Sequence, residues 1–254
     1  MMQGDLILPR GYDRKRCVRC TPMGLGLGLG MSLVHRASGP GLKPPISANL
    51  LQDMNASIFA SIALNAGNVA AWADQSPSPN NWSQAIGGSQ PAYNAVDANM
   101  NGRPSVAVAH TKSITGALNI LQPNTVYVVG WGALNAGADI FDGALVRQAI
   151  GVNTPGFYYF AGSSVQFGPA RDAAMHAFAV VFNNTSSVGY VDSSGTAYPG
   201  TAGTNSCQNP SVAGVFPNTS GGVGRVLMYN ATHNSTQVGQ TLAYLGAVYG
   251  KAWS

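Results

Sequence analysis

The chain contains no glutamate: its nine acidic residues are all aspartate, and charged residues fill only 9% of its 254 positions, against about 25% in an average soluble domain. Glycoside hydrolysis needs two carboxylates about 5 to 10 Å apart, so any such pair here would be built from aspartate alone. Asp139 and Asp142 are close in sequence, but Asp139-Ile140-Phe141-Asp142-Gly143 reads more simply as a turn leading into Ala144-Leu145-Val146. Three cysteines, Cys17, Cys20 and Cys207, are too few for a disulfide-built scaffold. Cys17-Val18-Arg19-Cys20 has the spacing of half a zinc site, yet no second pair completes four ligands and no βαβ context supports a redox role. A Gly-x-Ser-x-Gly nucleophile elbow is missing, and Gly24 to Gly30 lacks the Lys-Ser/Thr pair of a phosphate loop. The apolar segment from Met23 to Val34 spans twelve residues, where a bilayer takes about 20. These absences argue against an enzyme and against membrane insertion.

What charge there is lies unevenly. Residues 1–43 carry seven of the thirteen basic residues and two acids, Asp5 and Asp13, for a net +5; six bases and seven acids leave the remainder at −1. The formal net charge of +4 therefore belongs to an N-terminal arm. Within it, the run from Gly24 to Gly30 places Leu25, Leu27 and Leu29 on one face of an extended chain, and the glycines admit another backbone on the other. The same segment is too rich in glycine for a good export-signal core, although Ala37-Ser38-Gly39 would suit cleavage. This pattern implies a docking arm, in which Arg10, Arg14, Lys15, Arg16 and Arg19 meet an acidic surface while Leu25, Leu27 and Leu29 are buried on a partner. No aromatic residue interleaves the Arg14-Lys15-Arg16 cluster, which disfavours nucleic acid.

After the arm, 44–68 reads as a linker with a short amphipathic helix. Leu50, Leu51, Met54, Ile58 and Ile62 recur at intervals of three and four, and Ser47 or Asn49 could cap the start. From residue 69 onward, Gly, Asn, Ser and Pro divide the chain into short apolar runs, the trace of strands joined by turns. Asn124 to Gly130 and His176 to Asn183 are apolar on both alternating faces, as expected where one face meets a sandwich core and the other a covering loop or neighbour.

Particular stretches then carry a resemblance. The ending Gly224-Arg225-Val226-Leu227-Met228-Tyr229-Asn230, followed by a helical pattern from Gln237 to Tyr249, is similar to the close of concanavalin A-like, laminin-G-like jelly-roll domains, such as those of bacteriophage tail-fibre and decoration proteins. Val69 to Ser76, Gln90-Pro91-Ala92-Tyr93-Asn94, Asn101 to Val106 and Ser187 to Asp192 resemble further strands of that family in the right order. The resemblance covers 69–254 and implies an all-β, two-sheet antiparallel jelly-roll sandwich with a short C-terminal helix, here behind an extended N-terminal arm. Glycan-cleaving relatives use two Glu flanking an Asp, which this chain cannot supply. His176 matches a position where the family commonly places a histidine and is expected to be a hydrogen-bonded structural residue. Some relatives bind calcium and sugars at a rim of loops. The corresponding candidates are Asp74, Asp97, Asp139, Asp142 and Asp192 for calcium, and Trp82, Tyr93 and Trp131 for stacking on a sugar.

Two functional classes follow. In the first, the chain is a non-enzymatic bacteriophage virion component. The arm docks onto portal, adaptor, tail or capsid subunits, and the jelly roll projects as a fibre or decoration in a homo-oligomeric assembly, with host glycan as a further candidate partner. In the second, it is a secreted or surface lectin-like adhesin. No cofactor is required by either.

Overall fold

The doubly apolar runs around Val128 and Ala179 set the architecture, because a strand with two apolar faces must be covered on both. In the computed structural model, which describes residues 43–133, 138–153, 156–213 and 220–254, they lie at the centre of one sheet. The strands are β1 (Leu50–Asn55), β2 (Ile62–Asn65), β3 (Asn68–Trp72), β4 (Trp82–Ser83), β5 (Tyr93–Asp97), β6 (Arg103–Ala109), β7 (Ser113–Gly116), β8 (Asn119–Ile120) and β9 (Asn124–Gly132). They continue as β10 (Ala138–Val146), β11 (Ala149–Val152), β12 (Gly156–Phe160), β13 (Ser164–Ala170), β14 (His176–Phe182), β15 (Ser187–Val191), β16 (Ser193–Gly200), β17 (Cys207–Ala213) and β18 (Ser220–Tyr229), and one helix, α1 (Ser235–Tyr249), closes the fold. The pairings are antiparallel.

Two sheets result. The first runs β16-β15-β14-β9-β18-β6-β5, with β1 beside the second half of β18; the second runs β13-β12-β11-β10-β17-β7-β4-β3-β2, with β8 beside β17. Val126, Val128, Phe178, Val180, Phe182, Val226 and Met228 point from the first sheet into the core, against Trp72, Ile114, Phe141, Ile150, Phe157 and Tyr159 of the second. The alternate residues Tyr127, Val129, Ala177, Ala179, Leu227 and Tyr229 form a second apolar layer with Val238, Leu242, Leu245 and Tyr249 of α1. Each fully buried Leu or Val contributes about 1.5–3 kcal/mol. The covering element of the doubly apolar strands is therefore the C-terminal helix. Asn234 accepts from the Gln237 amide while the Gln237 side chain accepts from the Asn234 amide, a reciprocal cap that starts the helix. Gly250, at φ 68°, ends it. No helix among the described residues is long and apolar enough to cross a membrane.

The segment read as a helical linker is different. Leu50–Asn55 is strand β1, Phe59–Ser61 a single 3-10 turn, and β2 and β3 form a hairpin over Ala66 and Gly67, both at positive φ. The spacing of Leu50, Leu51, Met54 and Ile62 suited a helix, but pairing of β1 with β18 across the sheet prevails. That pairing lets Met54 enter the inter-sheet core while Leu50 joins the layer under α1. Tertiary pairing overrides local periodicity here.

Candidate functional site

Of the five aspartates considered for calcium, three are fixed points of the backbone. Asp74 accepts from the amides of Asp53, Ser76 and Asn80 and from the Ser76 hydroxyl at 2.8–2.9 Å, so it pins the loop after β3. Asp97 accepts from the Asn99 amide, the Ser105 hydroxyl and the Trp131 indole at 2.6–2.9 Å. Asp192, at φ 60°, accepts from the Ala177 amide and bonds His176 Nδ1 at 2.7 Å. These carboxylates are dispersed and already served by protein donors, which does not fit a calcium loop. No cluster of three or more His, Cys, Asp or Glu suited to a metal occurs among the described residues.

His176 is indeed hydrogen-bonded, between Asp192 and Asp172, with its Nε2 at 2.8 Å from Asp172. Burial alone would lower its pKa, but the bonds to Asp192 and Asp172 raise it. His233, for which the sequence offers no partner, bonds the Tyr127 hydroxyl at 2.7 Å and packs on Tyr229 at 4.3 Å; burial lowers it to about 4. Cys207 is a buried core thiol, pushed up by burial.

The three aromatic candidates do not converge. Trp82 has 0% exposure and meets Trp72 edge-on at 5.9 Å inside the core, so it has no face to offer a sugar. Strand β4 inserts it between the sheets. Tyr93 is half-buried at the edge strand β5, its hydroxyl donating to the Ala56 carbonyl at 3.0 Å. Trp131 packs with the layer under α1, away from the core that Tyr93 borders. The arm residues Arg10, Arg14, Lys15, Arg16, Arg19, Leu25, Leu27 and Leu29 lie outside the described residues.

Asp139 and Asp142 form a different kind of site, and the turn expected there is a strand, β10. Its register slips between Asp139 and Phe141 against β11 and between Gly143 and Val146 against β17. A Cβ at Gly143 would stand 2.2 Å from the Val146 carbonyl oxygen, so glycine is what permits this close approach. In an unbroken strand, residues three apart face opposite sides. Here both acids converge on Arg147: its Nη2 donates to Asp139 at 2.6 Å, and its Nε donates to both Asp142 oxygens at 3.0 and 2.9 Å. The guanidinium lies 5.4 Å over the Phe160 ring. Tyr158 donates to Asp139 from two strands away.

Cross-strand pairing aligns Asp139, Gly151, Tyr158 and Gln166 in one row over β10 to β13. The intervening Phe157 and Tyr159 point into the core, so this row is the outer face of the second sheet. Asp139, Asp142 and Tyr158 are buried there, Arg147 and Phe160 are half-buried, and Gln166 is exposed. Sequence reasoning found the two acids but not Arg147, Tyr158, Phe160 or Gln166; only the sheet register brings them together.

Burial pushes the Asp139 and Asp142 carboxyls up against the opposing pull of Arg147, and Asp142 reaches about 6 from an ordinary 3.8. The folded chain thus holds a proton that the unfolded chain has released, so this group's contribution to stability falls as pH climbs from about 4 to 6. His233 acts oppositely over nearly the same window, because folding depresses its pKa from 6.5 to about 4. His176 contributes stability below its ordinary 6.5 that is lost as pH rises through its raised folded value. Asp142→Asn should therefore gain stability over the native chain as pH rises from about 4 to 6, by about 2–3 kcal/mol. Thermal unfolding of both chains across that range checks this, and a pH-independent difference would contradict it.

No family model matches the chain and no curated protein matches it. Solved structures share its fold. A structure of botulinum neurotoxin type C aligns at 9% identity with a TM-score of 0.56, covering 78% of this chain and 51% of that one. The binding domain of Paraclostridial Mosquitocidal Protein 1 aligns at 10% identity and 0.55, covering 80% and 55%. A Trypanosoma rangeli sialidase aligns at 12% identity and 0.47, covering 80% and 33%. The chain spans a third to about half of the structures it matches. At these identities the likeness is one of fold: a two-sheet antiparallel β sandwich.

Proposed function

We propose that the sandwich is a carbohydrate-binding module of the lectin-like kind, and that its saccharide sits on the outer face of β10 to β13. The observation that carries this is the half-buried Arg147 fork, fixed by Asp139 and Asp142 and lying over Phe160, on the same sheet face where Gln166, cross-strand from Tyr158, is exposed. Sugar hydroxyls need fixed planar donors and acceptors, and the C–H face of a pyranose suits an aromatic or guanidinium plane. Asp139 and Asp142 are positioning residues; the surface that meets the sugar is Arg147, Phe160 and Gln166. Structures of similar fold support the reading: botulinum neurotoxin type C depends for cell entry on interaction with two ganglioside molecules, and the binding domain of Botulinum Neurotoxin DC is known in complex with SialylT.

The virion role rests on the basic arm, which lies outside the described residues, whereas the structures of similar fold support the glycan reading. A glycan array tests the proposal. The native chain should retain saccharides, and Arg147→Ala should lose them by about 10- to 100-fold, the worth of hydrogen bonds to a charged group. Gln166→Ala, changed at an exposed position, should weaken binding without altering thermal stability. A native chain that retains no saccharide, or an Arg147→Ala chain that binds equally well, would overturn the proposal.

A further inference from the structure

Resting on the glycan reading, we infer that the β10 to β13 face selects neutral saccharides and rejects sialylated ones. An acidic sugar is recognised by a cation with charge to spare. Arg147 has none: its guanidinium is held by two carboxylates, Asp139 at 2.6 Å and Asp142 at 2.9 Å. Two acids against one base leave the cluster with surplus negative charge when both are ionised. Among the described residues, no other Lys or Arg forms an ion pair with either acid. Residues 44–254 carry six basic residues against seven acids, so this part of the chain has no excess of positive charge.

The geometry of the fork reinforces this. Nε and Nη2, one edge of the guanidinium, are turned inward to the buried carboxylates. A bidentate grip on a sugar carboxylate through that edge would require breaking both ion pairs and leaving Asp139 buried without its partner. Hydroxyl groups make no such demand, because each donates as well as accepts and carries no charge. Phe160, under the guanidinium, and Gln166, exposed on the same face, are both neutral. The ligand class is therefore a neutral, hydroxyl-rich saccharide.

Matched pairs that differ only by a terminal sialic acid, such as lactose and sialyllactose, test the inference on the full chain at neutral pH. The neutral member should bind at least about tenfold more tightly, the effect of a few ångströms of like-charge approach at a partly wetted surface. Asp142→Asn, which removes one of the two acids, should narrow or reverse that preference while Arg147 stays in place. Equal or tighter binding of sialylated members by the native chain would overturn the selectivity and leave the glycan reading intact. No binding of either member of any pair would overturn both. Thermal unfolding of Asp142→Asn separates a change in preference from a loss of fold.

Discussion

Replacing Arg225 by methionine should lower the unfolding free energy by about 3–5 kcal/mol, the cost of breaking a buried ion pair from one side. Arg225 on β18 donates through Nε and Nη2 to the two oxygens of Asp53 on β1 at 2.8 and 2.7 Å. Its Nη1 reaches the Tyr244 hydroxyl of α1 at 2.5 Å, and the guanidinium lies 5.1 Å over that ring. Both members of the pair are buried. One side chain thus ties together β18, β1 and the covering helix. Methionine keeps much of the volume but leaves the Asp53 carboxylate in the interior with no opposite charge. Removing both charges, in Asp53→Leu with Arg225→Met, should recover more than half of the loss, because apolar replacement of a whole buried pair is often close to neutral. Urea unfolding of the two variants measures both values. A single-variant loss under about 1 kcal/mol, typical of exposed pairs, would show that the pair does not hold β1 to β18.

The second large effect is expected at Gly203. This residue has φ 97°, a conformation unfavourable to any side chain, and a Cβ there would stand 2.3 Å from the Ala161 carbonyl oxygen. Gly203→Ala combines backbone strain with a clash against main chain, together about 3 kcal/mol. The position matters because its loop is stitched to the turn after β12: Ala161 and Ser163 donate to Ala202, Asn205 donates to Ala161, and Gln122 donates to Gly203. Phe160 immediately precedes that turn. The variant should therefore lose stability and weaken saccharide binding together, although residue 203 is not on the proposed binding face. Denaturant unfolding paired with a binding titration follows both, and a destabilised variant with undiminished affinity would separate the loop from the site.

How much of this was legible in the sequence depended on the range of the interactions. The end of the chain was readable because its determinants are local: a strand closing on Tyr229-Asn230, a polar turn and an apolar helical pattern up to Tyr249. The apolar alternation of 126–129 and 177–182 foretold two covered faces, although not that α1 supplies the second cover. β1 was mistaken for helix because its spacing satisfies a helix, while the partner that decides the matter, β18, lies more than 150 residues away. Trp82 was a candidate for stacking on a sugar, but β4 turns it into the core against Trp72, a placement set by strand pairing and not by its neighbours in sequence.

The site was hidden for the same reason. Asp139 and Asp142 were visible as a close pair, but a turn explained them adequately. Their convergence needs two register slips, a glycine at 143 and an arginine at 147. The remaining members, Tyr158, Phe160 and Gln166, join through pairing across β11, β12 and β13. A sequence pattern carries no sign of such a row, because its spacing is set by strand register and not by period.

Amide chemical-shift mapping of the labelled chain, titrated with a neutral saccharide retained on the array, tests the β10 to β13 face directly. Shifts should saturate together and cluster at Arg147, Phe160 and Gln166, and in Arg147→Ala the same saccharide should need about 10- to 100-fold higher concentration to saturate them. Saturating shifts confined elsewhere, for instance around Tyr93 or Trp131, would contradict the assignment of the β10 to β13 face.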